Sequence, residues 1–417
     1  MSPTWGIVAV TAVSIATLVI GAFGLRFSRT TSDFYVASRS VSPGLNGSAI
    51  SGEYLSAASF LGAAGLILVG GADMLWYPIG WTVGYLLLLV FVAAPLRRSG
   101  AYTIPDFAQG RLQSLAARRV STVVVVGIGW LYLMPQFQGA GLTLQTVLDA
   151  PRWVGTVLVA AIVTINISLG GMRAITFVQA FQYWLKLTAL FIPLMFLLLA
   201  WSRDGKPRPA PRAAWFQPLG TATGEHLYSV YAVILATFLG AMGLPHVVVR
   251  FYTNPDGRAA RRTTLIVLLL ISAFYLLPTF YGVFGRIYAS DLIAAGRADT
   301  VALELPGRLI GGTGGELLTA MITAGAFAAF LSTSSGVTMA ISGVVGQAIA
   351  AQRPARGRIS SITALRLASV LCISVPLLLA LLAESVPVAN SVVFAFTLAA
   401  STFSPLLILG IWWRGLT

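Results

Sequence analysis

The sequence has 417 residues, of which 57% are apolar and only 10% are charged, and its formal net charge is +14. An ordinary soluble domain carries about 25% charged residues, so this composition excludes a soluble globular protein and indicates a polytopic membrane protein. The basic residues lie in short clusters between apolar stretches, which is typical of topology signals and argues against a nucleic-acid partner.

Eleven apolar stretches are long enough to span a membrane, since crossing the hydrocarbon core takes about 20 residues in a helix. Backbone groups within lipid must be hydrogen-bonded inside their own segment, so an all-α fold is expected. The predicted spans cover residues 4–25, 43–70, 76–96, 120–148, 153–169, 177–201, 226–249, 263–285, 314–350, 362–383 and 387–413. The connections between them are too short for a second domain, so 1–417 is predicted to be one transmembrane domain.

The spans divide into an extra N-terminal helix within 1–25 and two halves of five spans, 43–201 and 226–413. An odd number of spans in each half gives the halves opposite topology, as in inverted-repeat transporters. The first span of each half is interrupted, at Gly52-Glu53-Tyr54-Leu55-Ser56-Ala57-Ala58-Ser59 and at Gly240-Ala241-Met242-Gly243-Leu244-Pro245-His246. Interruptions at corresponding positions are typical of a binding site at the membrane midplane, so the pattern predicts a secondary transporter.

The basic residues also predict the orientation in the cell membrane. If the N-terminus lies outside, the inside connections hold 17 arginines, Arg250 among them, and the outside connections hold 8 basic residues. The positive-inside rule therefore places the N-terminus outside and the C-terminus in the cytoplasm.

Ionisable residues within spans are functional candidates because burying an unpaired charge is costly. Glu53 lies at the first break, where it would assist a cation or act as a protonatable gate. For Lys186, we favour a side chain that extends toward the cytoplasmic interface. Pro245 and His246 mark the second break, where His246 serves either gating and proton handling or a structural hydrogen bond.

Four consecutive hydroxyl residues, Ser332-Thr333-Ser334-Ser335, lie within the span 314–350. A hard cation without its water needs several oxygen ligands, which hydroxyls and the carbonyls of unwound helix provide. Hydroxyl residues in membrane helices also bond to their own helix or pack against neighbours, so both interpretations stay open. No phosphate loop, nucleophile elbow or metal-spaced His/Cys set is found, and we expect neither an enzyme nor an organic cofactor.

Three motifs resemble the sodium/solute symporter family: the stretch from Gly52 to Gly62, Gly170-Gly171-Met172-Arg173 with Val178-Gln179 downstream, and the stretch from Gly243 to Phe251. The first and third look most like its cation/acetate branch, as does the stretch from Gly100 to Asp106. The resemblance covers nearly the whole chain. Members usually continue with further helices beyond the ten-helix core, whereas this sequence ends at Thr417.

The resemblance implies a broken-helix inverted repeat, alternating access and Na⁺ as the coupling ion. Matched position by position, the family's sodium ligands fall on the carbonyls of Gly52, Leu55 and Ala329 and on the hydroxyls of Ser332 and Thr333.

The expected substrate is a small organic solute taken into the cell, with an organic anion such as acetate favoured. The N-terminus of a broken helix offers amide donors and a positive dipole to a carboxylate. In sugar-transporting relatives a glutamine stands at the position of Ser59, so the resemblance argues against a sugar. Ser56, Ser59, Gln136 and Gly243 are the candidate substrate residues. The alternatives are a proton-coupled carrier that uses Glu53 and a non-transporting solute sensor; besides solute, Na⁺ and lipid, no obligatory protein partner is expected.

Overall fold

The computed structural model describes residues 3–24, 37–210, 213–219, 225–351, 361–382 and 388–416, which are mostly helical. In chain order the helices are α1 (Pro3–Gly24), α2 (Pro43–Tyr54), α3 (Ala63–Gly70), α4 (Trp76–Leu87), α5 (Ala93–Arg98), α6 (Ile104–Leu112), α7 (Leu115–Leu148), α8 (Arg152–Arg203), α9 (Ala213–Phe216), α10 (Glu225–Gly243), α11 (Pro245–Phe251), α12 (Gly257–Tyr288), α13 (Asp291–Ala294), α14 (Val301–Leu309), α15 (Gly312–Ala351), α16 (Ser361–Leu382) and α17 (Val388–Trp412). Single π-helical turns at Ala58–Gly62 and Leu88–Val92 join α2 to α3 and α4 to α5.

The predicted spans all correspond to helices or to interrupted helix pairs. Within the described part of the chain, eight helical segments are long and apolar enough to cross a bilayer, and the bent pair α10–α11 makes a ninth. One of the eight, Ala58–Arg98, contains the second part of the predicted span 43–70 and the whole of the span 76–96, and Gly71, with a φ of 61°, interrupts the helical backbone between them. Gly171, also with a φ of 61°, divides α8 into the two predicted spans 153–169 and 177–201. The all-α polytopic fold is thus confirmed.

The helix ends follow the local sequence. Thr103, Ser114 and Asp256 accept hydrogen bonds from backbone amides in the first turns of α6, α7 and α12, at 3.3, 3.2 and 2.7 Å. Such N-caps satisfy amides that have no partner within the helix. Pro43 and Pro245 stand in the first turns of α2 and α11, where a missing amide donor costs nothing.

The two predicted interruptions are present. α2 ends at Tyr54, residues 55 and 56 are not helical, and the helix resumes at Ala57. In the second interruption Leu244 has φ −65° and ψ 121°, an extended conformation that the following proline favours. The helices on its two sides are bent by 41°.

The packing of the helices determines what surrounds each break. α15 packs against α8 and α2, and α2 packs against α8, so the first break lies between α8 and α15. α10 packs against α17 and α4. The predicted connections at residues 25–36 and 352–360, which carry several arginines counted for orientation, lie outside the described residues.

Candidate functional site

The first break holds a cation, and that cation is a side chain of the protein. The Lys186 ammonium donates to the backbone carbonyl of Gly52, to that of Leu55 at 2.8 Å and to the Ser332 hydroxyl at 2.6 Å. Lys186 is 0% exposed. An ammonium group has three donors, and all three are used here on oxygens that the resemblance assigns to sodium.

The other two residues of the predicted sodium site lie beside this cluster. Ser332 Oγ is 2.7 Å from the carbonyl oxygen of Gly52 and 3.1 Å from that of Ala329. Thr333 Oγ1 donates to the carbonyl of Glu53 at 2.6 Å. The structure therefore brings all five predicted residues together where α15 crosses the end of α2.

The expected position of Lys186 was wrong. A side chain that snorkels would place its ammonium at the membrane interface, whereas this one points into the protein at the first break. The physical reason is that the unwound end of α2 offers carbonyl oxygens without helical partners, which replace the water that the ammonium loses on burial.

Glu53 is paired with a residue that the sequence analysis counted only as a topology marker. Arg250 Nε donates to Glu53 Oε2 at 2.6 Å, and both side chains are buried. The same guanidinium donates to Thr176 Oγ1 at 3.0 Å and to Gln179 Oε1. Gln179 Nε2 in turn donates to the carbonyl of Ser332 at 2.8 Å, so the ion pair is joined to the cation site.

Two glycines allow the helices around this network to approach closely. A Cβ on Gly336 of α15 would lie 2.1 Å from the carboxyl carbon of Glu53, and one on Gly52 would lie 2.2 Å from the carbonyl oxygen of Gln179. Real Cβ atoms essentially never come that close. Any larger residue at either position would separate α2 from α15 or from α8.

A cluster of buried aromatic rings, called the aromatic cluster below, lies around the ends of the broken helices. It consists of Tyr54, Trp81, Tyr85, Tyr132, Tyr275 and Phe396. The Phe396 ring is central, with centroids 6.4, 6.2 and 6.0 Å from those of Tyr54, Trp81 and Tyr132. His246, at the second break, places its ring 4.7 Å from Tyr132, so the aromatic cluster connects the two breaks.

Three polar atoms in and beside the aromatic cluster are unsatisfied. Among the described residues, Trp81 Nε1, Tyr85 Oη and His246 Nε2 are buried without a hydrogen-bond partner. Leaving a buried polar group unpaired costs about 1–3 kcal/mol. Buried polar groups without a protein partner are available to ordered water or to a bound polar solute.

The predicted substrate residues surround the same region but are largely bonded within the protein. Gln136 Oε1 accepts from the amide of Ala57 at 2.8 Å, and Ser59 Oγ lies 2.8 Å from Tyr275 Oη. Ser56 is buried at the break. A Cβ on Gly243 would lie 2.6 Å from both the carbonyl oxygen of Ala399 and the Ser404 hydroxyl, so this glycine lets α10 pack against α17.

Interrupted helices, with a buried cation among backbone carbonyls and unsatisfied polar groups beside it, are the arrangement typical of secondary transporters. Two solved structures share this fold. A Na⁺-coupled sialic acid symporter, in a substrate-bound outward-open state, matches 98% of this chain and 87% of its own with a TM-score of 0.78 and 15% identity. The crystal structure of MhsT in complex with L-phenylalanine matches 89% of this chain and 88% of its own, with a TM-score of 0.60 and 14% identity.

The family follows from the sequence comparisons. The model of the sodium:solute symporter family matches residues 34–417. The uncharacterized symporter YwcA of Bacillus subtilis (strain 168) is 32% identical over 412 residues, which are 95% of this chain and 79% of that protein. The chain belongs to the sodium:solute symporter family. It is a multi-pass membrane transporter and not an enzyme, and Na⁺ is the coupling ion of its family.

Proposed function

We propose that this protein is a symporter that couples the inward movement of Na⁺ to the uptake of a small monocarboxylate such as acetate. The observation that carries the proposal is the convergence of Gly52, Leu55 and Ser332 oxygens on one buried monovalent cation. Oxygens arranged to hold an ammonium at these distances also suit a sodium ion, which takes carbonyl and hydroxyl ligands. Ala329 and Thr333 complete the proposed sodium site.

The proposed substrate position lies beside the aromatic cluster, between the two breaks. Trp81 Nε1 and Tyr85 Oη are donors without partners, and a carboxylate is an acceptor with two oxygens. The buried charged side chains nearest the breaks, Glu53, Lys186 and Arg250, carry one net positive charge together, which favours an organic anion. Ser56, Ser59, Gln136 and Gly243 remain the proposed substrate residues, with Ser56 and Ser59 nearest the aromatic rings.

The direction and setting of transport are part of the proposal. The arginine bias supports a cell-membrane protein with its N-terminus outside and its C-terminus in the cytoplasm. Moving one charge through ~100 mV is worth about 2.3 kcal/mol. That is close to 50-fold accumulation, since about 1.4 kcal/mol corresponds to a tenfold ratio.

A proton-coupled carrier that uses Glu53 is the second candidate. It requires a carboxyl group that gains and loses a proton during the cycle, and Glu53 Oε1 has no hydrogen-bond partner among the described residues. Oε2 is held by the Arg250 guanidinium at 2.6 Å, however, and the oxygens of the first break already surround a monovalent cation, so sodium coupling is the better supported of the two. Pro245 and His246 at the second break are the proposed gating residues in either case.

The proposal is tested by uptake of radiolabelled acetate into proteoliposomes, with an inward gradient of sodium or of choline at fixed pH. Sodium should drive accumulation of acetate, and the double variant Ser332→Ala/Thr333→Ala should lose that stimulation. Ser272→Ala is the matched control, because this exposed hydroxyl only bonds to the carbonyl of Leu268 in its own helix. Equal uptake with both gradients would refute sodium coupling, and no acetate uptake by folded protein would refute the substrate or favour a sensor.

A further inference from the structure

The ammonium of Lys186 is bound as a free monovalent cation would be bound. Its three contacts are two backbone carbonyls and one hydroxyl, all neutral oxygens, and none is a carboxylate. A buried lysine usually needs an anionic partner because the loss of hydration is costly. Here the oxygens of the first break replace the hydration shell, which is the way a protein holds a desolvated metal ion.

The net charge of the side chains around the site disfavours binding of a second cation. Glu53 is the acidic group that faces Lys186 from α2, and its Oε2 is already paired with Arg250 of α11. On α15 the neighbouring polar groups are hydroxyls, those of Ser332 and Thr333. The three charged side chains have one net positive charge, and a sodium ion added beside the ammonium would make it two within a buried volume.

The Lys186 ammonium already occupies oxygens that a sodium ion would need, which also argues against a second cation at the site. Gly52 O, Leu55 O and Ser332 Oγ are three of the five proposed sodium ligands, and each lies within hydrogen-bonding distance of the same nitrogen. A sodium ion cannot approach these three oxygens until the nitrogen has left. The other two ligands, from Ala329 and Thr333, are too few to hold the ion alone.

We propose that Lys186 is a tethered cation that competes with sodium for one site, so that the site holds either the ammonium or a Na⁺ ion and never both. This inference rests on the proposed sodium site. While the ammonium occupies the site, the lysine stabilises the unwound end of α2 through these contacts. Sodium binding displaces the side chain, so Lys186 sets the sodium concentration at which the site fills.

The size of the effect follows from competition. If the ammonium occupies the site for at least nine-tenths of the time, the apparent affinity for sodium is reduced at least about tenfold, because only the vacated fraction binds. Replacing the lysine with a side chain of similar length and no charge should restore the intrinsic affinity. Lys186→Met is that replacement.

The experiment is equilibrium binding of radioactive sodium to purified full-length protein in detergent, compared between the wild type and Lys186→Met. The sequence contains two lysines, and the other, Lys206, is exposed, so Lys206→Met is a matched control for the substitution itself. We expect Lys186→Met to lower the sodium Kd at least tenfold and Lys206→Met to leave it unchanged. A Kd for Lys186→Met equal to or weaker than that of the wild type would overturn the inference.

The two proposals fail in different ways in this assay. Sodium binding by the wild type with no gain in Lys186→Met would refute the tethered cation and leave sodium coupling in place. Sodium binding by Lys186→Met alone would support the tethered cation and refute sodium coupling of the wild type. Binding by neither protein would refute both.

A second measurement uses the wild type and keeps the inference testable if Lys186→Met does not fold. An amine-acylating reagent is applied with increasing sodium or choline, and peptide mass spectrometry follows modification at Lys186 and Lys206. Sodium should raise the modification of Lys186, while Lys206 reacts equally in both salts. Unchanged protection of Lys186 in saturating sodium would show that the ion does not displace it.

Discussion

The buried ion pair between Glu53 and Arg250 lets us predict the sign and the size of a change in the free energy of unfolding. In the wild type, the charged trio of Glu53, Arg250 and Lys186 carries one net positive charge. Glu53→Gln raises this to two, because Arg250 and Lys186 then lie near each other without the carboxylate. Removing one partner of a buried ion pair costs about 3–5 kcal/mol, and we expect Glu53→Gln to lower the free energy of unfolding by that amount.

Arg250→Met should also lower the free energy of unfolding. Compared with Glu53→Gln, less of the loss comes from the charge that is removed and more comes from lost hydrogen bonds. It removes the donors to Glu53 at 2.6 Å and to Thr176 at 3.0 Å, and also the contact with Gln179. The carboxylate keeps the attraction of Lys186. The double variant Glu53→Gln/Arg250→Met restores the net charge of the wild type, so its loss should be smaller than the sum of the two single losses by about 1–3 kcal/mol.

The assay is unfolding in mixed micelles by increasing amounts of a denaturing detergent, followed by the fluorescence of the protein's tryptophans. The variants Glu53→Gln and Arg250→Met and the double variant are compared with the wild type in one double-mutant cycle. Single losses that add to within about 0.5 kcal/mol would refute the coupling. A Glu53→Gln variant as stable as the wild type would refute the charge argument itself.

Three further predictions concern packing, capping and pH. Gly336→Ala should lower the free energy of unfolding by about 1–3 kcal/mol, as overpacking does, because its Cβ would meet the buried carboxyl group of Glu53. Gly127 faces open space, so Gly127→Ala should not lower it. The same detergent titration measures both variants. Arg111→Ala should cost about 2 kcal/mol by the same measurement, since Arg111 donates to four carbonyls in and beyond the last turn of α17. Arg308 lowers the pKa of the Asp291 carboxyl through a hydrogen-bonded ion pair. The contribution of this ion pair to the free energy of unfolding is therefore present above the ordinary carboxyl pKa of about 3.9 and is lost as the pH falls through the lowered pKa. The midpoint of thermal unfolding should therefore fall more between pH 6 and pH 3 in the wild type than in Asp291→Asn.

The fold was predictable because its determinants are local. Apolar length defines the spans, and glycine or proline defines the interruptions, so the breaks at Leu55 and Leu244 follow from a few residues each. The proposed sodium ligands were placed by resemblance, and the structure brings these residues together. The boundaries of the two five-helix halves remain a prediction.

The orientation of Lys186 was predicted wrongly and Arg250 was missed, both for physical reasons. Hydropathy gives the depth of Lys186 in its span but not the direction of its side chain. One signal was present: Gln179 and Lys186 are seven residues apart and so share a helix face, the face that meets the first break. Arg250 was interpreted as a topology marker because it ends an apolar run, but α11 is a seven-residue helix that begins at the second break, so its last turn remains inside the protein.

In a symporter, a gradient of either substrate drives movement of the other. This reciprocity gives the most direct test of coupling between sodium and acetate. Proteoliposomes are prepared with equal sodium on both sides, and an inward acetate gradient is imposed while radioactive sodium is followed. In the wild type, acetate should drive sodium into the vesicles above its equilibrium level, and Ser332→Ala/Thr333→Ala should abolish this flux. Entry of acetate with no net movement of sodium would contradict coupling through this site.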